Sequence, residues 1–551
     1  MVTWSDVRRW DRYPVFEAIY AAQDRRQRAE DLSTEFFRAG HFFQAEGASA
    51  DAIRAFISEQ SRTCDRLVDQ YAELMMASAQ AGDSVAHVQG RVEECLEFAE
   101  IERLLIAEDG TVSISPERQA ECMNPEILDS ERQKLQTVAG QARETLHEMI
   151  ADLLLYADEV DAVYSDRLAV VAAGGPYSGE GRGSASQGLP DLPDPSWSEA
   201  EVAAWWASNS PEDRQLLIEQ HPDVIGNTNG IDATSRDQAN QNYAEQLARE
   251  AAAELERLEE QDPKHQDPES NARRKELTSL LADLQQIQTS LAETEDAQLL
   301  VLELNDGKTR AAISSGNVDT AAYVAVYAPG LGSTVQDSLD THTRRAAALR
   351  RAAQSEHGAG PDEVAIVTWL GYDPPPSGGI GVTTAASPGQ AFEGGQLMRD
   401  FMEGIHASRQ GSAAGDPYLS ALGHSYGSTT MGFMADQVNP GVVDDLVFLG
   451  SPGAGVDHAY ELNIDGTPYV SAFPSGDALT GAGSAANLEY GTDPATTEGF
   501  THISNEGPPP SGDGINDRHS DYLESNPDDT PTQIQIDISD IIVGGMEDEG
   551  E

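Results

Sequence analysis

The spacing of the apolar residues changes at Gln298, and this change constrains the fold more than any other feature of the 551-residue sequence. Before Gln298, apolar residues recur at three- and four-residue steps, which is the pattern of amphipathic helices. After it, short apolar segments alternate with helical segments, and this alternation predicts a mainly parallel sheet with helices on both faces. We therefore expect an α/β domain preceded by an all-α domain.

The predicted strands are short apolar segments bounded by turn residues. They are Leu299–Leu304, Thr309–Ile313, Tyr323–Tyr327, Val364–Trp369, Tyr418–Leu422, Leu446–Leu449 and Tyr469–Phe473. Predicted helices cover residues 236–261, 270–292, 335–354, 388–408 and 427–437, and a last element, helix or strand, covers Thr532–Val543.

Residues 1 to about 168 keep the helical period almost throughout. Two runs of apolar residues at helical spacing are expected to form the core of a bundle or an elongated hairpin. The runs are Ile53, Phe56, Ile57, Cys64, Leu67, Tyr71 and Leu74, and then Leu135, Val138, Ala142, Leu146, Ile150 and Leu153.

Changes of composition predict the domain boundaries. Residues 171–195 are dominated by Gly, Ser and Pro and lack any period, so they are expected to be a linker. The helical domain then covers 1–170, a helical preface covers 196–297, and the α/β domain covers 298–545. The acidic tail, 546–551, is expected to be disordered.

The charge of the chain excludes some classes of function. The sequence has 35 Lys and Arg against 94 Asp and Glu, a formal charge of −59. Such a surface repels phosphate backbones and anionic membranes, so nucleic-acid binding and membrane docking are not expected. No apolar run approaches the roughly 18 residues that a membrane span needs.

The start of the chain, Met1–Asp11, has no apolar segment of the kind found in signal peptides. A cytoplasmic location is the default expectation, and export independent of a signal peptide is the alternative. Cys64, Cys95 and Cys122 make an odd set without a Cys-x-x-Cys motif, so they are expected to be small buried residues. No paired His spacing indicates a zinc site, and no metal or organic cofactor is predicted.

The strongest local motif is Gly423-His-Ser-Tyr-Gly427, which follows a predicted strand and opens a predicted helix. This is the context of a nucleophile elbow, a strained strand-to-helix turn that exposes a serine hydroxyl. We predict that Ser425 is a nucleophile. The alternative is a Gly-rich loop with a buried serine.

A nucleophilic serine needs a histidine base and an acid that orients it, which follow it in the order acid, then histidine. His519, in a polar loop before the last element, is the preferred base, His502 is an alternative, and His458 comes too early. Asp477, after the strand that starts at Tyr469, is the preferred acid. Its competitors are Asp457, Asp493 and Asp517.

An oxyanion hole needs two backbone N–H groups. One is expected from Tyr426, the residue after the nucleophile, and the other from Leu331 in the turn Ala328–Ser333. Gly330 and Gly332 in this turn allow the backbone to approach a substrate. The full Gly-x-Gly-x-x-Gly is missing, so dinucleotide binding is not expected.

Residues from about 195 to 545 resemble an actinobacterial α/β-hydrolase family that was first described as a domain of unknown function. The matching motifs are Trp205-Trp206, Ile225-Gly-Asn-Thr-Asn-Gly230, Arg236-Asp-Gln-Ala-Asn240, Pro329-Gly-Leu-Gly-Ser333, Trp369-Leu-Gly-Tyr-Asp-Pro-Pro375, Gly423-His-Ser-Tyr-Gly-Ser428, Gly450-Ser-Pro-Gly453 and Arg518-His-Ser-Asp-Tyr522. Arg518 stands where the family has Gly. The resemblance implies a cutinase- or lipase-like serine hydrolase acting on a small-molecule or lipid-like ester.

The first part of the chain loosely resembles the helical-hairpin proteins exported by type VII secretion. Those proteins have a Trp-x-Gly turn, whereas the turn expected here, Phe42–Gly47, contains no Trp. This resemblance implies signal-peptide-independent export and a protein partner for the helical domain.

Two hypotheses of different classes follow. The first is a serine hydrolase that cleaves an ester or related acyl bond. The second is a non-enzymatic secreted or surface interaction protein, or an effector, that uses a hydrolase-like fold. The complete Ser, Asp and His set favours the first.

Overall fold

In the computed structural model, the residues described are 2–42, 48–124, 128–172, 192–376, 388–410, 412, 414–485, 489–510 and 518–546. The chain divides into two compact units, Met1–Asn209 and Ser210–Glu551. Most of the predicted linker, the turn 43–47 and the tail 547–551 lie outside the described residues. The boundary between the units divides the predicted preface, 196–297, because its first helix belongs to the first unit and the rest to the second.

The first unit is built on long helices. Its helices are α1 Trp4–Val7, α2 Tyr13–Phe42, α3 Ala48–Ile101, α4 Pro116–Cys122, α5 Asp129–Ala172 and α6 Glu199–Ser208. Helix α3 runs antiparallel to α2, with Ser33 Oγ near Ser61 Oγ, and antiparallel to α5, with Ser78 Oγ near the Tyr164 hydroxyl.

The core of this unit confirms only part of the two predicted runs. Ala142, Leu146, Ile150 and Leu153 are buried together with residues of α1 and α3. In the first run Cys64 is buried, but the prediction is wrong for Ile53, which is 43% exposed, for Phe56, which is 62% exposed, and for Leu67, which is also exposed. Leu135 and Val138 are exposed as well. The first half of α3 packs against α2, whereas α5 contacts α3 further along. In its first half, α3 is therefore covered on the side that faces α2, and apolar residues on its other sides are exposed.

A small hairpin interrupts the helices and was not predicted. It consists of β1 Leu104–Ile106 and β2 Val112–Ile114, paired antiparallel. The turn between them has Asp109, whose carboxylate accepts from the Thr111 N–H, and Gly110 at φ +83°. The cysteines Cys64, Cys95 and Cys122 are buried and free.

The second unit contains the predicted alternation of strands and helices. Its helices are α7 Pro211–Gln220, α8 Pro222–Ile225, α9 Ala233–Gln261, α10 Pro268–Glu293, α11 Val335–Glu356, α12 Gly389–Gln410, α13 Tyr426–Ala435, α14 Ala482–Ala485 and α15 Gln533–Ile542. Its strands are β3 Gln298–Asn305, β4 Lys308–Ser315, β5 Tyr323–Ala328, β6 Val364–Leu370, β7 Tyr418–His424, β8 Asp445–Leu449, β9 Pro468–Ser471 and β10 Thr501–His502.

The eight strands form one sheet in the order β10-β9-β8-β7-β5-β6-β4-β3. Strands β5 to β10 pair in parallel, whereas β4 pairs antiparallel with both β3 and β6. Alternate residues of β5 enter separate cores. Val324 and Val326 pack with α12 and α13, and Ala325 and Tyr327 pack with α11 and α15. This confirms an α/β fold preceded by a helical domain.

Two motifs of the helical segment before the sheet have a packing role. The buried Asn240 side chain donates to the carbonyl oxygens of Gly226 and Leu299, at 2.8 and 3.0 Å. The buried Arg236 donates to Gly226 O and to Asn229 Oδ1. These bonds attach α9 to the strand β3, so the helical segment is part of the same fold as the sheet.

Candidate active site

Ser425 lies at the tip of the turn between β7 and α13, as its motif predicts. Its backbone has φ 54° and ψ −128°, a strained conformation for a residue with a side chain. Gly427 allows this turn, because a Cβ there would lie 2.2 Å from the carbonyl oxygen of Ala328 on the neighbouring strand β5. The turn therefore holds the hydroxyl at the carboxyl edge of the sheet.

A chain of hydrogen bonds connects the three side chains chosen from the sequence. His519 Nε2 is 2.7 Å from Ser425 Oγ, and His519 Nδ1 is 2.9 Å from Asp477 Oδ1. The carboxylate partner fixes the tautomer, with the proton on Nδ1 and a lone pair on Nε2 directed at the serine hydroxyl. The arrangement can accept the Ser425 proton as Oγ attacks.

Several donors hold the Asp477 carboxylate. Burial alone would raise its pKa, but the hydrogen bond and charge of His519, with further donors, lower the pKa to about 2. Those donors are the Tyr522 hydroxyl at 2.7 Å, the Thr480 hydroxyl at 3.0 Å and the Leu479 N–H at 3.1 Å. Asp477 is therefore ionised across the ordinary pH range and oriented toward His519.

The turn that follows β5 lies against the nucleophile. A Cβ on Gly330 would lie 2.7 Å from Ser425 Cβ and 3.1 Å from Ser425 Oγ, so only glycine fits. The Gly332 N–H donates to Pro375 O at 2.9 Å. Among the described residues, none accepts a hydrogen bond from the N–H of Leu331 or of Tyr426.

The segment after β6 supports this turn from behind. The Tyr372 hydroxyl donates to the Pro329 carbonyl oxygen at 2.6 Å, and its ring stacks on Trp369 with an interplanar angle of 7°. Burial raises the pKa of the Tyr372 hydroxyl well above its ordinary value, so it remains a donor. On the other side, the Tyr426 hydroxyl accepts from the Ala391 N–H of α12.

The loop that carries His519 makes contacts with three other parts of the unit. Arg518, which stands in the place of the family's Gly, donates its N–H to Gly476 O and lies 3.7 Å from the centroid of the Phe473 ring. Arg345 of α11 donates to the carbonyl oxygen of Ser520 and pairs with Glu524 at 2.6 Å. The imidazole of His424 contacts the carbonyl oxygen of His519 itself, at 2.6 Å.

The alternative residues lie elsewhere. His502 is exposed on the edge strand β10, and His458 stacks on Tyr460 in the loop after β8. Asp493 accepts from the N–H of Ala495, and the N–H of Asp457 donates to Glu461, both in local turns. Asp517 lies outside the described residues.

Sequence reasoning did not single out His424, Tyr522, Tyr372 or Arg345. His424, Tyr372 and Tyr522 lie within sequence motifs that were identified, but a motif does not show what each of its residues contacts. Arg345 lies on a helix without any motif. Its role depends on which loop packs against that helix.

No group of His, Cys, Asp and Glu in the described ranges has the geometry to hold a metal ion. None of the helices in those ranges is long and apolar enough to cross a membrane.

A mainly parallel sheet with a serine at the tip of the strand-to-helix turn is the arrangement of the α/β-hydrolase fold. The family described as alpha/beta hydrolase matches residues 305–479. A protein of Mycobacterium bovis, Uncharacterized protein Mb0988c, is 32% identical over 194 residues, which are 34% of this chain and 70% of that protein. The chain belongs to the alpha/beta hydrolase family.

A longer similarity extends beyond that region. Uncharacterized protein MT2140 of Mycobacterium tuberculosis is 28% identical over 461 residues, or 72% of this chain. The chain spans 66% of the length of that relative. The family match ends at residue 479, so it includes Ser425 and Asp477 and stops before His519.

Proposed function

We propose that the protein is a serine hydrolase that cleaves an ester or related acyl bond through an acyl-enzyme. The observation that carries the proposal is the unbroken hydrogen-bond chain from Ser425 Oγ through His519 to Asp477. A base within hydrogen-bond reach of the nucleophile, itself oriented by an acid, is the geometry that activates a serine.

In the proposed reaction, Ser425 Oγ attacks the acyl carbon while its proton passes to His519 Nε2. Asp477 stabilises the imidazolium that forms, because it is ionised and accepts from Nδ1. The tetrahedral oxyanion accepts hydrogen bonds from the N–H groups of Tyr426 and Leu331.

The first intermediate collapses to the acyl-enzyme, and the alcohol or other leaving group takes the proton from His519. A water molecule then attacks the acyl carbon, His519 accepts its proton, and the acid is released as Ser425 recovers its hydrogen.

A serine-directed probe and an activity panel test the proposal together. The full chain is expected to react with a fluorophosphonate and to hydrolyse p-nitrophenyl esters, whose rates across acyl lengths define the acyl preference. Ser425→Ala is expected to abolish both signals without changing the melting temperature. Labelling that persists undiminished in Ser425→Ala would refute the assignment of the nucleophile.

The histidine assignment has a matched control. His519→Ala is expected to lower kcat by several orders of magnitude, as removal of a triad base does. His502→Ala, an exposed residue in the same part of the chain, is expected to leave kcat unchanged. The reverse ranking would assign the base to the other loop.

A further inference from the structure

His424 immediately precedes the proposed nucleophile, and its side chain is almost completely buried. Its Nε2 lies 2.6 Å from the main-chain oxygen of His519. A carbonyl oxygen can only accept, so the imidazole donates an Nε2–H. Burial, and then the neighbouring His519 side chain, lower the pKa of His424 to about 3, so the ring is neutral and keeps a single N–H.

The two neighbouring residues of the turn thus bind the same histidine at two points. Ser425 contacts the His519 side chain at Nε2, and His424 contacts the His519 main chain at its oxygen. The two rings also lie close, with centroids 4.9 Å apart. A shift of the His519 backbone relative to the serine would disturb the contact with His424 as well as the contact with Ser425.

The next carbonyl of the loop is held independently. Arg345 donates to Ser520 O at 3.0 Å and is itself paired with Glu524. Arg345 belongs to α11, whereas His424 is the last residue of β7 and directly precedes the nucleophile. His424 therefore connects the main chain of His519 to the strand that directly precedes Ser425.

We propose that His424 is a positioning residue that sets the distance between His519 Nε2 and Ser425 Oγ by holding the main chain of His519. The inference rests on the proposed function, and it deepens that function by adding a residue to its machinery. A misplacement of about 1 Å in a reacting group can cost roughly 100-fold in rate, so loss of this bond acts on kcat.

The kinetic test compares two variants of His424 in the full chain. His424→Ala is expected to lower kcat and the rate constant of fluorophosphonate labelling by about 10- to 100-fold, with KM within about twofold of wild type. His424→Gln, which can donate an N–H from a similar reach, is expected to restore most of that loss. Failure of Gln to rescue a folded protein would show that ring packing, and not the hydrogen bond, is what matters.

A matched control separates positioning from general packing. His406 is another buried histidine, and its partners among the described residues are Gln410 and Asp416 in the α12 region. His406→Ala is expected to lower the melting temperature and leave kcat of the folded protein unchanged. An equal loss of kcat in both Ala variants would overturn the proposal.

Hydrogen exchange tests the contact without substrate. Peptides that span residues 519–524 are expected to exchange faster in His424→Ala than in wild type, and no faster in His406→Ala. Unchanged exchange in His424→Ala would refute the inference whatever the kinetics show. A wild-type protein that the fluorophosphonate does not label would instead refute the proposed function.

Discussion

The Tyr372 hydroxyl and the Pro329 carbonyl oxygen form a buried 2.6 Å hydrogen bond that ties the segment after β6 to the turn after β5. That turn carries Gly330, which touches the side chain of Ser425, and Leu331, the proposed oxyanion donor. The position of a backbone N–H beside the nucleophile therefore depends on Tyr372, which is 43 residues after Pro329 in the sequence.

Removing this bond is expected to lower both the rate of the reaction and the stability of the fold. Tyr372→Phe leaves a buried carbonyl without its donor, which costs about 1–3 kcal/mol of stability, and frees the oxyanion turn. We expect kcat to fall about tenfold or more, because one oxyanion donor contributes 10²–10³-fold. Tyr469→Phe is the matched control, since Tyr469 also donates to a carbonyl, that of Met546. Equal kcat values in the two variants would contradict the prediction.

A methyl group at Gly330 tests the close approach of the turn to the nucleophile. Gly330→Ala would place Cβ 2.7 Å from Ser425 Cβ, so the turn or the serine must move. We expect a loss of roughly 100-fold in kcat/KM in a protein that still folds. Gly140→Ala, where a Cβ meets nothing within 4 Å in the helix α5, is expected to keep full activity and to gain up to about 1 kcal/mol of stability. Unimpaired turnover in Gly330→Ala would exclude this turn from the site.

The pH dependence of the first unit is expected to depend on Asp83. Its carboxylate accepts from Ser198 Oγ at 2.9 Å, and burial, with Glu199 and Glu201 nearby, raises its pKa to about 7. The unfolded chain ionises this group near pH 4, so the folded state loses stability relative to the unfolded state as pH rises from about 4 to about 7.

Asp83→Asn keeps the acceptor oxygen and removes this penalty. We expect the variant to melt at a higher temperature than wild type at pH 8, with a gap that shrinks as pH falls toward 4. Scanning calorimetry between pH 4 and 8 measures it. A gap of constant size across that range would show that Asp83 ionises in the folded protein as it does in the unfolded one.

The net charge predicts a response to salt. With 94 acidic against 35 basic residues, compaction of the chain brings like charges together. Salt screens their repulsion, because the screening length falls from about 30 Å at 0.01 M salt to about 3 Å at 1 M. The melting temperature is expected to rise between 0.05 and 2 M KCl, while kcat changes less because the site is partly buried. A flat or falling melting temperature would refute the repulsion argument.

The order of the elements in the α/β unit could be predicted because apolar residues have a different spacing in strands and in helices. Turn residues also bound each of these short segments. The choice of Asp477 and His519 as partners of Ser425 followed from the chain order of nucleophile, acid and histidine that a nucleophile elbow implies. Their mutual distances depend on tertiary packing, which the sequence pattern does not specify.

The periodic pattern failed where burial depends on neighbours. Ile53 and Phe56 have the spacing of a core stripe, yet they are exposed, because periodicity identifies an apolar face and does not tell which helix covers it. The hairpin around Gly110 was missed for a related reason. Its strands have three residues each, too few for a period to be visible.

The attachment of α9 to β3 determines where the hydrolase can be cut. The family match starts at residue 305, but a fragment that starts there would lose β3, its pairing with β4 and the Asn240 bond to Leu299. Strand β4 would become an open edge with an unpaired row of backbone groups, which is a template for aggregation. Expression of the hydrolase unit alone should therefore begin near Ser210, where the second compact unit begins, and shorter versions are expected to precipitate.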